Sequence, residues 1–536
     1  MTANIDELKM KNKQLQLNLF CRLFIVVLLI CAYPSLYANS QSVPQTPPAS
    51  IDCSRLSWSD AFSQLHTKIS TEYSFTTWRG IDWDVLKAKF EPIIAEAENE
   101  TPKNKEKYYQ ALRDYMISLH DTHAAVLADK KDSVAVSFVL DEVAKHTSGS
   151  YGLIITHTSD NKYIVSYVAQ GGAADIVGIK PGAEIISWNN LPIQQAAAQS
   201  PLTWSSQLLI VMTYSPATTA GINYEKLRML LCASIGEQSV VTFVNPESKQ
   251  AKFVTLTALD DKGDVQNRTA LYFNSDPRQP KVPPLSASIL PSGYGYIKLI
   301  EEDAGEYETT NKDEKQSELY QQFKTIVETL VCENVPGIII DLRGNSGGDG
   351  RLGPDFASFF SKQQQFFCST AIYDTCTGSY LPLPPSYNGT FYITPVKPYY
   401  DGPVVVLTDI ATASAGEYVA QSFKIIGRGP IISFYPNTQG AVANNPHLVK
   451  MPENFEIMYP DARLLDQKGN IMLDSNTQLQ GGVPTDIQVP MTKDIAIDIY
   501  TNNRDVLLDY AVQWLHNKET KVSNPYNQQP KTGCRL

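Results

Sequence analysis

Two unbroken apolar runs constrain the fold of this 536-residue chain more than any other feature. Gly337-Ile338-Ile339-Ile340 enters Asp341-Leu342-Arg343-Gly344-Asn345-Ser346-Gly347-Gly348. Val404-Val405-Val406-Leu407 leads to Ala411-Thr412-Ala413-Ser414-Ala415-Gly416-Glu417. Each reads as a buried strand that stops in small residues and then starts a helix. From Tyr294 strand and helix signals alternate, which predicts an α/β layer domain over 285–500. One loop offers a hydroxyl, on Ser414, and the other offers bare backbone amides. A nucleophile and an oxyanion hole need those two things.

The chain is long enough for two to four domains. Its net charge of −11 argues against nucleic acid or an anionic membrane as a main partner. Lys9, Lys11, Lys13 and Arg22 precede the apolar stretch 23–33, and Ala38 closes it. That order describes a secretory signal peptide over 1–38, too short in its apolar part to span a bilayer comfortably. Leu36 is a poor residue before a cleavage point, which leaves an uncleaved anchor as the alternative. The expected location is therefore periplasmic or extracellular. Residues 39–50 and 259–284 read as linkers, and 501–536 as a closing helix and tail. Six cysteines follow the signal, and Cys368 with Cys376 is the expected disulfide. Their spacings suit no zinc or redox site, so no cofactor or metal is expected.

Residues 51–147 read as a helical region, with Tyr108, Leu112, Tyr115, Met116 and Leu119 at helical spacing. Ser133–Leu140 alternates enough to predict a strand. Over 148–258 two strand signals precede Gly171-Gly172-Ala173-Ala174, and then Lys180-Pro181-Gly182 turns into Glu184–Trp188. This stretch resembles a PDZ domain, β-rich, in which an extended peptide adds to a sheet edge. The resemblance places peptide binding at Tyr151, Gly152 and Leu153. Residues 196–235 exceed what such a domain needs and predict an insertion.

The strand ending Asp341-Leu342-Arg343-x-Asn345-x-Gly347-Gly348, paired with a later Ser414-Ala415-x-Glu417, resembles the tail-specific, or C-terminal-processing, serine peptidase family. The resemblance implies a ClpP/crotonase-like α/β catalytic core beside the helical region and the PDZ-like domain. It implies Ser414 as nucleophile, with Gly347 or Gly348 and Ala415 as oxyanion donors. Ser414-x-x-Glu417 is equally a helix capping box, and the Asp341–Gly348 segment equally a glycine-dependent turn. Asp341 and Arg343 read as loop braces.

The base is the open position. In one branch of the family a lysine follows Thr-x-Gly, but here Thr438-Gln439-Gly440 is followed by Ala441. Lys450 is the next lysine, and no pattern recommends it. The tricorn-like branch uses an upstream histidine, and Leu119-His120-Asp121-Thr122-His123 fits that place. His123 is then the expected base, suited to it near neutral pH, with Thr122 orienting it and His120 as the fallback. That branch also carries a glutamate before a Gly-Val-x-Pro-Asp motif. Here the stretch reads Gln478 to Asp486 with no acid in that place, which leaves Gln478, Gln480 or Asp474. The expectation is an exported serine endopeptidase acting on polypeptides, possessing no stable membrane insertion after signal removal. The alternatives are a peptide-binding protein on a peptidase scaffold and a Ser-Lys enzyme with an unrecognised lysine.

Overall fold

In the computed structural model the two apolar runs become neighbouring parallel strands, Ile338–Asp341 and Val404–Leu407, with Ile338 opposite Val404 and Asp341 opposite Leu407. The structure describes residues 48–207, 212–271, 282–302, 317–383, 389–442 and 446–522. The signal peptide, most of the first linker, Cys534 and the end of the tail lie outside them. Among the described residues no helix is long and apolar enough to cross a membrane.

The two strands sit at the centre of a six-stranded sheet. Its order is Leu285–Ile289, Gly295–Leu299, Ile338–Asp341, Val404–Leu407, Ile431–Ser433 and Ile487–Gln488. The first pair is antiparallel and the others parallel. Alternation divides the apolar residues between two layers. Ile338, Ile340, Val404 and Val406 pack with the helices Glu318–Cys332, Leu352–Ala357 and Ala415–Ile425. Ile339, Val405 and Leu407 pack on the other face against Leu507, Ala511 and Leu515 of the helix Val506–Val522. Burial on both faces is why these strands are continuously apolar.

The N-terminal helices Trp58–Glu72, Trp83–Asn99 and Lys105–Ile117 form a separate core rich in aromatic rings. This region is not only helical. Ala125–Ala128 is a strand, and it pairs antiparallel with Phe455–Pro460, Ala125 opposite Met458. The surplus within 196–235 supplies Met212–Thr213, which pairs with the other edge of the same strand through Leu127. One sheet thus joins the N-terminal region, the insertion and the catalytic half of the chain.

Ser133–Leu140 is not a strand but the start of a helix, Ser133–Thr147. Asp132 Oδ1 accepts the Val134 and Ala135 N–H groups, and Ala135, Val139 and Val143 fall on one buried face. A capped start with i, i+4 apolar spacing outweighs a short alternation. The second expected linker holds a short helix, Asp264–Arg268. Cys368 is a buried thiol and is not bridged to Cys376. Cys368 lies inside the extended strand Gln365–Asp374, and Cys376 follows it in the turn. Six extended residues separate the Cα atoms by roughly 20 Å, against the ~7 Å a disulfide tolerates.

Leu515 is fully buried and closes against the Cα of Gly337, where an added Cβ would meet its Cδ2 at 3.0 Å. Leu515→Ala is expected to destabilise the catalytic half by about 2–5 kcal/mol in denaturant unfolding, whereas Tyr510→Ala on the same helix should change it by less than about 1 kcal/mol.

Candidate active site

Because the central strands run parallel and in register, the loops after them leave the same sheet edge. Ser414 ends the second loop and opens the helix Ala415–Ile425 with φ 52° and ψ −123°, a conformation that ordinarily requires glycine. Such strain costs on the order of 1–3 kcal/mol and persists only where the surroundings enforce it. The enforcement is visible. The Ser414 N–H donates to Ala441 O at 3.1 Å, and the Ser414 hydroxyl makes no cap bond to the helix. Glu417, the other half of the expected capping box, is fully buried and grips the neighbouring segment. It accepts from Thr438 Oγ1 at 2.5 Å, Gly440 N at 2.9 Å and Ala441 N at 3.1 Å. Burial pushes its pKa up to about 7 against the pull of those three donors. Thr438-Gln439-Gly440 is therefore a splint under the serine.

The glycine loop is held from the opposite side. Asn345 Nδ2 donates to Leu299 O at 3.1 Å and to Glu302 Oε1 at 2.8 Å, and Asn345 Oδ1 accepts the Gly347 N–H at 2.8 Å. Glu302 also pairs its main chain with the loop, through Gly347 O at 2.9 Å and the Asp349 N–H at 2.8 Å. Burial raises the Glu302 pKa to about 8. The Gly347 amide is thus occupied. Among the described residues the Gly348 and Ala415 amides have no hydrogen-bond partner. Asp341 and Arg343 brace the loop: Arg343 binds Asp341 at 2.9 and 2.6 Å and Asp505 at 2.7 Å, and Tyr296 OH donates to Asp341 at 2.7 Å.

His123 reaches this edge from 291 residues upstream, with Nε2 3.3 Å from Ser414 Oγ. It stands between the helix Lys105–Ile117 and the strand Ala125–Ala128, so the pairing with Phe455–Pro460 carries it there. Its main-chain N–H donates to Asp121 Oδ1 at 2.9 Å, and Asp121 Oδ2 accepts Tyr73 OH at 2.7 Å. The Arg79 guanidinium lies between Asp121, at 3.7 Å, and Asp474, at 3.8 Å, and also donates to His120 O. Desolvation lowers the His123 pKa below its usual value, with Asp121 opposing, which favours the neutral imidazole. Among the described residues the buried His123 Nδ1 has no hydrogen-bond partner. His120 makes no bond to Ser414, and burial lowers its pKa to about 4.

Thr122 does not bond the His123 ring. Its hydroxyl donates to Ser215 O at 3.1 Å and accepts from Gln439 Nε2 at 2.7 Å, while Tyr214 OH donates to Gln439 Oε1 at 3.0 Å. Gln439 is the glutamine that ties the histidine loop to the catalytic half. Gln478 and Gln480 are exposed and meet Asn476 through their main-chain amides. The sequence signal for Gln439 was its place beside Thr438 and Gly440, but only the fold reveals its partner. Asp474 accepts the Val442 N–H at 3.1 Å and faces Arg79 rather than the imidazole. Lys450 lies in the strand Pro446–Met451 opposite Glu456, on a different sheet. Lys298 beside the glycine loop bonds Arg343 O at 2.6 Å and Asp341 at 3.1 Å. Tyr151, Gly152 and Leu153 lie apart from Ser414, in the unit built on Leu153–His157, Tyr163–Val168, Glu184–Trp188, Gln238–Val244 and Lys252–Thr257.

Residues 293–489 match the model of peptidase family S41. The chain carries a peptidase domain of that family and is a serine-type peptidase. The match begins just before the strand Gly295–Leu299 and ends after Gly481-Gly482-Val483-Pro484, so it contains Ser414 and leaves His123 outside. No curated protein matches the chain. Among solved structures, that of mature CPAF is 15% identical and covers 87% of this chain and 98% of its own, with a TM-score of 0.58. That of mature CPAF complexed with lactacystin is 15% identical and covers 86% and 99%, with a TM-score of 0.57. At this identity the likeness is one of fold, and it extends through the N-terminal region.

A Cβ on Gly347 would fall 2.5 Å from Ser414 Cβ and 3.0 Å from Ala415 N. Gly347→Ala is expected to slow covalent labelling of Ser414 by a fluorophosphonate at least about 100-fold, because the loop must withdraw from the serine. Gel fluorescence against time measures this.

Proposed function

We propose that the chain is an exported serine endopeptidase that cleaves peptide bonds through an acyl-enzyme on Ser414, with His123 as general base. The observation that carries the reading is the 3.3 Å approach of His123 Nε2 to Ser414 Oγ, within the range that tightens to a productive bond when substrate closes the site. Ser414 Oγ attacks the peptide carbonyl as its proton passes to His123 Nε2. The tetrahedral oxygen takes the Gly348 and Ala415 N–H groups, with Gly347 and Asn345 holding the loop. Collapse breaks the C–N bond, and His123 returns the proton to the leaving amine. Water, deprotonated by His123, then releases the acyl group. Thr122 serves as an anchor for the histidine loop through Gln439. The depressed His123 pKa keeps the base unprotonated at neutral pH.

The PDZ-like reading belongs to the same proposal. Leu153–His157 is the last strand of its sheet, paired on one side by Tyr163–Val168, and Leu153 follows Gly152 at φ +70°. The helix Thr219–Leu231 packs beside it. An extended polypeptide adding along that edge would enter at Tyr151–Leu153. A second reading, a peptide binder with weakened catalysis, rests on one observation: among the described residues no carboxylate hydrogen-bonds the buried His123 Nδ1.

Three measurements decide. Fluorophosphonate labelling of the chain is expected at Ser414 and absent in Ser414→Ala; labelling that persists there refutes the nucleophile. His123→Ala is expected to lower kcat/KM for an unstructured protein substrate by about 10²–10⁴-fold. The acid limb of kcat/KM should have its midpoint below the usual histidine value of 6.5, since desolvation resists protonation of the free enzyme. A midpoint above 6.5 would mean that an acid partners the imidazole after all. No labelling and no turnover at neutral pH would favour the binding protein.

A further inference from the structure

Away from Ser414 a cavity of about 540 Å³ opens between the strand Ala462–Leu465, the hairpin of Gln365–Asp374 with Ser379–Pro382, and the N-terminal region. Trp78, Tyr380, Arg463, Leu465, Asn470 and Ile471 line it. Its walls are built rather than incidental. Tyr380 OH donates to Glu72 O at 2.5 Å, and Trp78 Nε1 donates to Asp474 O at 2.9 Å. Arg463 lies flat on Tyr380, its guanidinium carbon 3.6 Å from the ring centroid, and Nε donates to Ser74 O at 2.8 Å.

The rest of the Arg463 guanidinium faces the cavity. Among the described residues no carboxylate pairs with it, and its outer N–H groups have no acceptor. Arg343 and Arg228 are each clamped by carboxylates, at 2.6 Å from Asp341 and 2.5 Å from Glu225. Desolvation makes the Arg463 charge costly enough to lower its pKa. A fixed, partly desolvated guanidinium over the Tyr380 ring, in a cavity that Trp78 also lines, is prepared for a planar anion that two N–H groups can hold, with an apolar group beside it.

We propose that this cavity is a second polypeptide-binding subsite, in which Arg463 takes a carboxylate and Trp78 packs against a neighbouring apolar side chain. The identity of the ligand as polypeptide rests on the peptidase reading above. The carboxylate comes from a chain terminus or from an Asp or Glu side chain. The site is coupled to the nucleophile by a short path. Asp474 O holds Trp78, Asp474 Oδ1 accepts the Val442 N–H at 3.1 Å, and the adjoining Ala441 O accepts the Ser414 N–H at 3.1 Å. Occupation therefore braces the loop beneath Ser414 from behind.

The test uses the full chain carrying Ser414→Ala, which binds without cleaving. Three hexapeptides serve as probes: acetyl-Ala-Ala-Ala-Ala-Leu-Ala with a free terminal acid, the same peptide amidated, and the amidated peptide with its fourth alanine replaced by glutamate. Binding is read from Trp78 fluorescence, with Trp78→Phe as the blank. At least one acidic probe is expected to bind ten-fold or more tightly than the neutral amide. Which one it is names the source of the carboxylate. Arg463→Gln is expected to abolish that preference. Arg463→Lys, which keeps the charge but loses the planar fork, should weaken it three-fold or more, and it serves alone if the glutamine variant does not fold. Equal binding of all three probes overturns the proposal. So does an acid preference that survives Arg463→Gln, which would belong to the Tyr151–Leu153 edge instead. Fluorophosphonate labelling of the chain with Ser414 and Arg463 both intact reports on the peptidase reading separately, so the two can fail apart.

Discussion

The pairing of Ile338–Asp341 with Val404–Leu407, parallel and in register, is the interaction on which the rest of the site depends. It puts the ends of two strands side by side, so the amide-rich loop after one must meet the serine after the other. Contact is close enough that Gly347 has no room for a side chain beside Ser414. The pairing is secured by burial on both faces, with helices of the catalytic half on one side and the C-terminal helix on the other. Each methylene buried there contributes on the order of 0.8 kcal/mol, and the sum offsets a strained serine.

Buried polar groups turn that proximity into defined geometry. Glu417 holds three donors from Thr438–Ala441, and Asn345 joins Leu299, Glu302 and Gly347. Both networks are deeply buried, where a lost partner leaves an unpaired polar group and so costs more than at the surface. Glu417 and Glu302 have raised pKa values, about 7 and about 8, for the same reason: their surroundings resist a charge. They are supports of the two loops, and the base we propose, His123, stands apart from both.

His123 shows where sequence reading ran out. His123 stood in a short Asp-x-His motif, and its position suggested a base, but no local rule could bring it 291 residues to Ser414. The strand Ala125–Ala128 does so, and it is too short and too ordinary to announce itself. Its partners come from residues 212–213 and 455–460, so the sheet exists only after three distant segments have met. The same limit applies to Gln439. Its neighbours Thr438 and Gly440 were legible as a motif, while its bond to Thr122 crosses between two halves of the fold. Ser133–Leu140 failed for a local reason, since an aspartate cap was outvoted by a brief alternation. The expected disulfide failed on reach, because strand extension holds Cys368 and Cys376 apart.

The amino-acid sequence alone determined the two central strands, the small-residue loops after them, Ser414 as a hydroxyl at a helix start, and the absence of a lysine at Ala441. These are properties of contiguous residues, set by burial, backbone freedom and side-chain chemistry within a few positions. Tertiary structure alone decided that Ser414 is held strained rather than capping its helix, that Glu417 faces inward, and that Gly347 spends its amide on Asn345. It also decided that His123 meets the serine and that, among the described residues, Arg463 is left without a carboxylate. Each of these is a choice of partner among groups far apart in the chain, and partners are chosen by packing and desolvation, which no local pattern records.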